Sequence, residues 1–350
     1  MDRVAFEVVT SEPLRYNPNN EATGGIERVT GAGGRTLIRK RLSRPDPASP
    51  EPRNHWSASL DPRHWNYWRR EADAYRSAGL RDSLRRAGLD LPGSEVEEHG
   101  DGVTLWLEDV TGTPGTSFTL AEHVVLAEAA GRWQAQGPLV TPWTSERFLR
   151  TYSSNWPVSW DLLGDDDAWR QPLIRENWPS GLRAGWQRLL AHREFLLTLM
   201  ERLPRTRGHL DFWVSNQLRR PAGDLVLIDW AFAGDAAIGE DIGNHVPDAV
   251  NDLFWPAERI GELDQACFAA YLSGLRAAGW SGDAAVARLG LVASCVKYVW
   301  LLPLMLEQAA GSGHQAYHQA VDSGELYRQR GLSLSHLVGW LDEALSLATG

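Results

Sequence analysis

The sequence predicts an α+β chain in which a small β-rich segment precedes a larger, mostly helical one. Three observations carry this expectation. The first forty residues contain short β-prone runs bounded by glycines, the mark of strands joined by turns. Beyond residue 116, apolar side chains recur at three- and four-residue steps, as one face of a helix requires. Between them, an apolar run over 103–107 enters Glu-Asp-Val-Thr-Gly-Thr-Pro-Gly at 108–115, where the composition changes abruptly. A length of 350 residues suits two units at about 150 residues each. The expected division is an N-terminal lobe over 1–108, a connection over 109–115 and a helical lobe over 116–350.

Taken in order, runs 26–29 and 35–42 follow Gly24-Gly25 and Gly31-Ala32-Gly33-Gly34 and are expected as hairpin strands. The stretch 44–52 carries four prolines, which neither a helix interior nor a central strand tolerates. It is expected as an exposed loop within an insertion over 44–63. Asp61-Pro62 then opens a predicted helix whose apolar face is Trp65, Trp68, Ala72 and Tyr75. Downstream, helices are expected over 120–136, 184–203, 263–278, 284–306 and 332–347. A loop and short hairpin interrupt them over 208–230.

Composition excludes several classes. The net charge of −10 disfavours a protein that tracks nucleic acid phosphates, which needs a concentrated basic surface. Two cysteines, Cys267 and Cys295, provide neither a disulfide framework nor a cysteine zinc site, and suit a reducing cytoplasm. The first residues show no basic region followed by an apolar run, so no signal peptide is expected. The apolar stretch 289–306 has Lys297 near its middle and Pro303 near its end; a buried core helix is expected there, not a membrane span. Seventeen tryptophans are scattered without a repeat and are expected as large core and cleft side chains.

The segment richest in chemistry is Gly208-His209-Leu210-Asp211-Phe212-Trp213-Val214-Ser215-Asn216, followed by Leu225-Val226-Leu227-Ile228-Asp229-Trp230. An Asp and an Asn lie five residues apart, and an apolar strand then delivers a second Asp. Phosphoryl transfer from ATP needs such a set: a carboxylate to accept the proton of the attacking hydroxyl, and oxygen ligands to hold magnesium against the phosphates. An Asx-rich surface loop would not explain the strand that brings the second Asp.

These residues resemble the His-Gly-Asp-x-x-x-x-Asn loop and Ile-Asp-Trp strand of the aminoglycoside phosphotransferase family, bacterial small-molecule kinases with a two-lobed, protein-kinase-like fold. Gly234-Asp235 and Gly239-Glu240-Asp241-Ile242 resemble the elements that close the family's active site. The resemblance implies Asp211 as catalytic base, Asn216 and Asp229 as magnesium ligands, and His209 and Asp241 as supports of the catalytic loop. Leu210 departs from the family, which usually has Gly there. Lys40, in Leu37-Ile38-Arg39-Lys40, resembles the lysine that grips the α- and β-phosphates, and Glu71 the helix glutamate that pairs with it. Strand alternation puts Arg39 and Arg41 on the face opposite Lys40. Gly24 and Gly25 are the candidates for the phosphate-covering loop, which is no Walker A sequence. Backbone groups near Glu108 and Val110 are the candidates for holding the adenine.

Only twelve residue steps separate Asp229 from Asp241 and no Ala-Pro-Glu follows, which leaves no room for a long activation segment. The expected partner is a small hydroxylated acceptor, aminoglycoside-like and cationic, met by Asp165, Asp166, Asp167, Asp235, Glu240, Asp248 and Asp252. Trp156, Trp160, Trp213 and Trp230 are the aromatic candidates for stacking on it. An alternative is a Ser or Thr kinase acting on a peptide gripped by the proline-rich insertion. A further alternative, a catalytically inactive nucleotide-binding scaffold, sits poorly with Lys40, Asp211, Asn216 and Asp229 all being present.

Overall fold

The N-terminal strands pair into one antiparallel sheet, with β6 buried along its middle and β1 exposed at an edge. The computed structural model describes residues 6–46, 56–100, 102–154, 156–317 and 319–349. The first elements are β1 (Val8–Pro13), β2 (Thr23–Gly31), β3 (Thr36–Ser43), α1 (Arg70–Arg76), α2 (Ala78–Ala87), β4 (Leu89–Asp90), β5 (Ser94–Glu98) and β6 (Gly102–Glu108). The five-stranded sheet runs β1-β2-β3-β6-β5, with Lys40 of β3 opposite Leu105 of β6. Phe6, Val29, Leu37 and Trp106 pack on one face, whereas Leu42, Leu105 and Leu107 belong to the main core with Ala72 and Tyr75 of α1. Arg39 and Arg41 both pair with Glu27, away from Lys40.

The helix expected from Asp61 begins only at Arg70. Asp61 turns the chain by accepting from the Arg63 amide. The Arg70 guanidinium then takes the carbonyls of Pro62, His64 and Trp65, so these serve a side chain rather than a helical ladder. Trp65 joins an aromatic cluster with Trp56, Phe148 and Phe232, while Trp68, Ala72 and Tyr75 enter the main core. Much of the proline-rich insertion, 47–55, lies outside the described residues.

Beyond β7 (Thr113–Pro114) the chain is mostly helical. Thr119 and Glu122 cap α3 (Leu120–Gln134) reciprocally. The described helices continue as α4 (Phe148–Ser154), α5 (Asp166–Arg170), α6 (Pro172–Asn177), α7 (Leu182–Ala191) and α8 (Arg193–Arg202), the last two dividing the expected 184–203 helix at His192. After β8 (Arg205–Gly208), β9 (Gln217–Arg219), β10 (Leu225–Leu227) and β11 (Gly234–Ala237) come α9 (Glu240–Asn251), α10 (Ile260–Ala277), α11 (Ala284–Ala293), α12 (Leu301–Gln308) and α13 (Ser323–Thr349). Helices α3 and α10 touch backbone to backbone. A Cβ on Gly131 would lie 2.1 Å from the Tyr271 carbonyl oxygen, and one on Gly274 would lie 2.0 Å from that of Glu128.

The apolar stretch containing Lys297 is α11, a 3₁₀ turn over Ser294–Tyr298 and α12, and it is almost wholly buried in the core. Cys267 and Cys295 are buried free thiols. Trp133, Trp186, Trp230 and Trp340 are fully buried, which accounts for part of the tryptophan content as packing.

Candidate active site

Three chain segments that are far apart in sequence meet at one cleft. From β3, Lys40 extends its ammonium 2.6 Å from Glu71 Oε2 of α1 and 3.0 Å from Asp229 Oδ1, just past β10. Lys40 and Glu71 are buried, whereas Asp229 is partly open to the cleft. Burial alone would lower the Lys40 pKa, but the Asp229 and Glu71 charges overcome it and raise it. Glu71 is pushed by its burial up to about 7, against the pull of Lys40. A chain with only one of these carboxylates would hold this lysine less firmly.

The loop between β8 and β9 brings Asp211 and Asn216 to the same cleft. Asn216 Nδ2 donates to Asp211 Oδ2 at 2.8 Å and to the Asp211 carbonyl at 3.0 Å, closing the five-residue loop on itself. Burial, reinforced by the Asp229 charge, pushes the Asp211 carboxyl up to about 7, and Lys297 opposes the shift. Asp241, at the start of α9, accepts from the backbone amides of His209 (2.9 Å) and Leu210 (2.8 Å) and from Gln134 Nε2 (2.8 Å). Its own burial pushes it up to about 6 despite those donors. His209 donates from Nε2 to the Ile228 carbonyl at 3.0 Å and lies 4.5 Å from the Trp230 ring; burial pulls its imidazole down to about 4, leaving it neutral at pH 7.

Two non-glycine residues here have left-handed backbones, Leu210 at φ 64° and Asp229 at φ 60°. Such a conformation costs about 1–3 kcal/mol and persists only where surroundings enforce it. At Leu210 the enforcement is visible. Its amide is held by Asp241, and its fully buried side chain packs into the cluster with Trp56, Trp65, Phe148 and Phe232. The side chain thus replaces the conformational freedom of glycine with packing.

Glu108, Asp109 and Val110 also line the cleft, with Glu108 paired to Arg220 at 2.6 Å. Gly24 and Gly25, the candidates for the phosphate-covering loop, stand in a strand and not in a loop. They lie inside β2, where a Cβ on Gly24 would meet Ser43 Oγ at 2.5 Å, so close strand packing explains the glycine. The β1–β2 connection lines the cleft through Leu14, Arg15, Tyr16, Asn17, Pro18 and Asn20 and contains no glycine.

Of the acidic candidates, Asp248 and Asp252 face the cleft. Asp165 caps α5 and Asp166 and Asp167 pair with Arg170 on its surface, a solvated charge run. Asp235 pairs with Arg205, and buried Glu240 accepts from the Ala237 amide. Trp156 and Trp213 line the cleft; Trp160 is exposed, and Trp230 is buried against His209 and Trp133. Sequence reasoning missed Tyr152, Tyr298, Trp300 and Tyr317, which also line the cleft, and took Lys297 for a core residue only. A lone charge inside an otherwise apolar run was the available signal for Lys297. The cleft encloses ≈ 940 Å³, the upper end of small-ligand sites.

Among the described residues no group of three or more His, Cys, Asp or Glu is arranged as a metal cage. Magnesium does not need one, since it binds through one or two protein oxygens together with phosphates and water. The donor chemistry of Asp229 and Asn216 fits that mode.

Neither protein-family models nor curated proteins give a match to this chain. Solved structures do. The chain is similar to an aminoglycoside phosphotransferase from Alicyclobacillus acidocaldarius, with 17% identity, TM-score 0.55 and coverage of 99% of this chain and 95% of that one. It is similar to a choline/ethanolamine kinase family protein from Mesorhizobium loti at 15% identity and TM-score 0.55, covering 100% and 96%. A choline kinase from Cryptosporidium parvum aligns at 12% identity and TM-score 0.50, covering 99% and 92%. With the β sheet, the helical region and the cleft described above, these likenesses establish that the chain has the two-lobed, protein-kinase-like fold.

Proposed function

We propose that the protein is an ATP- and magnesium-dependent phosphotransferase that moves the terminal phosphoryl group onto a hydroxyl of a small molecule. The observation that carries this reading is the convergence of Lys40, Glu71 and Asp229 on one cleft with Asp211 and Asn216, on a loop held by Asp241. Lys40 binds the α- and β-phosphates, oriented by Glu71. Asp229 and Asn216 hold magnesium, whose charge neutralises the phosphate oxygens when it is bound. Asp211 accepts the proton of the attacking hydroxyl, and its position near neutral pH suits a general base. The backbone at Glu108–Val110 takes the purine edge, and the residue 14–20 turn covers the phosphates.

On the acceptor side, Asp248 and Asp252 supply negative charge, and the stacked Trp156–Trp300 pair, 3.6 Å apart at 8°, supplies a flat apolar wall. A cyclic or cationic small molecule suits that lining. Trp56, inside the 44–63 insertion, packs against Tyr152 and Trp156, so this part of the insertion walls the cleft. That supports a closed acceptor site more than an open peptide groove. In this reading the protein works in the cytoplasm.

The test is mass spectrometry of candidate acceptors, amino alcohols and aminoglycosides first, after incubation with ATP and magnesium. A gain of one phosphate, absent with Asp211→Asn, is expected. Folded protein that neither gains thermal stability from millimolar magnesium nucleotide nor phosphorylates any acceptor would return the balance to an inactive scaffold.

A further inference from the structure

Lys297 is the one charge within the apolar stretch 289–306, and the 3₁₀ turn over Ser294–Tyr298 presents it to the cleft. It is 5% exposed. Its ammonium has one ion pair, with Asp248 Oδ2 at 3.9 Å, and stands over the rings of Tyr152 (5.6 Å) and Tyr298 (5.8 Å). Among the described residues it makes no hydrogen bond.

An ammonium carries three N–H donors, and burying it without hydrogen bonds is costly. A structural counter-ion for Asp248 would close to about 2.7–2.9 Å and donate directly. Here Asp248 gives its other oxygen to the Tyr298 hydroxyl at 2.9 Å and leaves the ammonium at a distance. Lys297 lines the cleft together with Asp211 and Asp248, and its charge acts on the Asp211 carboxyl of the proposed base. A buried cation with unused donors, opening into a cleft, has the chemistry of an anion-binding group.

We propose that Lys297 binds an oxyanion in this cleft. The oxyanion has two possible sources: the terminal phosphoryl group of the nucleotide, in which case this inference rests on the proposed phosphotransferase reading, or an anionic substituent of the acceptor. In the second case the acceptor is zwitterionic, its cationic part facing Asp248 and Asp252 and its anionic part facing Lys297.

The experiment is isothermal titration calorimetry on the full chain, comparing wild type with Lys297→Met and Lys297→Arg. Lys297→Gln, which keeps length and polarity, substitutes wherever methionine lowers the melting temperature. The probes are MgATP, MgADP, and inorganic phosphate titrated into protein saturated with AMP-PNP. Loss of a charged hydrogen bond weakens binding by at least about tenfold. A tenfold loss for MgATP with MgADP unchanged, restored in part by arginine, assigns the terminal phosphoryl group. Unchanged nucleotide affinities with loss of phosphate binding assign the acceptor side. Folded neutral variants that bind all three probes as wild type does overturn the proposal. If wild type binds no nucleotide, the phosphotransferase reading fails separately. Phosphate titrated into the nucleotide-free protein then decides Lys297: binding that needs the charge supports the oxyanion site, and its absence overturns it.

Discussion

Replacing Arg70 with lysine keeps the charge and removes the planar fork, and the structure gives the size of the effect. Arg70 is fully buried. Nε donates to Trp143 O at 2.7 Å; Nη1 to Trp65 O at 2.7 Å and Ala231 O at 3.0 Å; Nη2 to Pro62 O at 2.9 Å and His64 O at 2.6 Å. A guanidinium has five N–H donors, and each of these five carbonyls takes one. Burial pulls the group down to about 9, which still leaves it charged at pH 7. Lysine offers three donors from one point, so at least two of the carbonyls lose their partner. Each orphaned buried acceptor costs about 1–3 kcal/mol, which puts the loss for Arg70→Lys at about 2–6 kcal/mol. Urea unfolding followed by circular dichroism measures it as a fall in midpoint at constant slope. Ala231 lies two residues after Asp229 and Arg70 immediately precedes Glu71, so magnesium-nucleotide affinity should fall as well. A loss below about 1 kcal/mol would mean that water or neighbouring amides replace the guanidinium, and the argument from donor count would be wrong.

Asp241→Asn replaces one of two accepting oxygens with a donor that faces a backbone amide. It should cost about 2–4 kcal/mol and lower turnover more than nucleotide affinity, a split that titration and a turnover assay resolve. Leu210→Gly relieves about 1–2 kcal/mol of left-handed strain but deletes a fully buried side chain worth about 2–5 kcal/mol. Packing should win, with net destabilisation; a higher melting temperature would show that strain dominates. Asp211→Asn should lower turnover by about 10²–10⁴ while sparing ATP affinity, whereas Asp229→Asn should weaken magnesium-dependent binding too. Buried Asp264 supplies the pH dependence. Burial would raise it, but hydrogen bonds from His336, Arg288 and Trp340 leave it at about 2, below the ordinary 3.8 of an aspartate. Its folded pKa is depressed, so its stabilisation of roughly 2 kcal/mol is complete above about pH 4–5 and fades as pH falls towards 2. Urea midpoints of wild type and Asp264→Asn should therefore converge between pH 5 and pH 3; a constant gap would refute the assignment.

Local order was the part the sequence determined. Alternation in 35–42 decided that Lys40 turns away from Arg39 and Arg41, because a strand has a period of two whatever surrounds it. The five-residue spacing from Asp211 to Asn216 is short enough for one loop to close by its own side-chain hydrogen bonds. The β-to-helical order followed from glycine-bounded β-prone runs at the start and helical periodicity beyond residue 116. Tertiary structure decided the rest. Residues 61–69 have a helical apolar pattern, yet they are turns because the Arg70 guanidinium, buried against Trp143 and Ala231, captures their carbonyls. Gly24 and Gly25 suggested a loop, but both lie in β2, Gly25 opposite Arg41 of β3 and Gly24 at the irregularity just before it. Asp248 and Asp252 face the cleft, Asp252 with Arg330 3.8 Å away, while Asp166 and Asp235 pair with arginines outside it, a distinction invisible in a list of acidic residues. Lys297 stands in a core segment and opens into the cleft because α9 and α4 set Asp248 and Tyr152 around it. Whether a charge is solvated, paired or aimed at a ligand depends on groups from remote segments that fix its dielectric surroundings, and only packing brings those groups together.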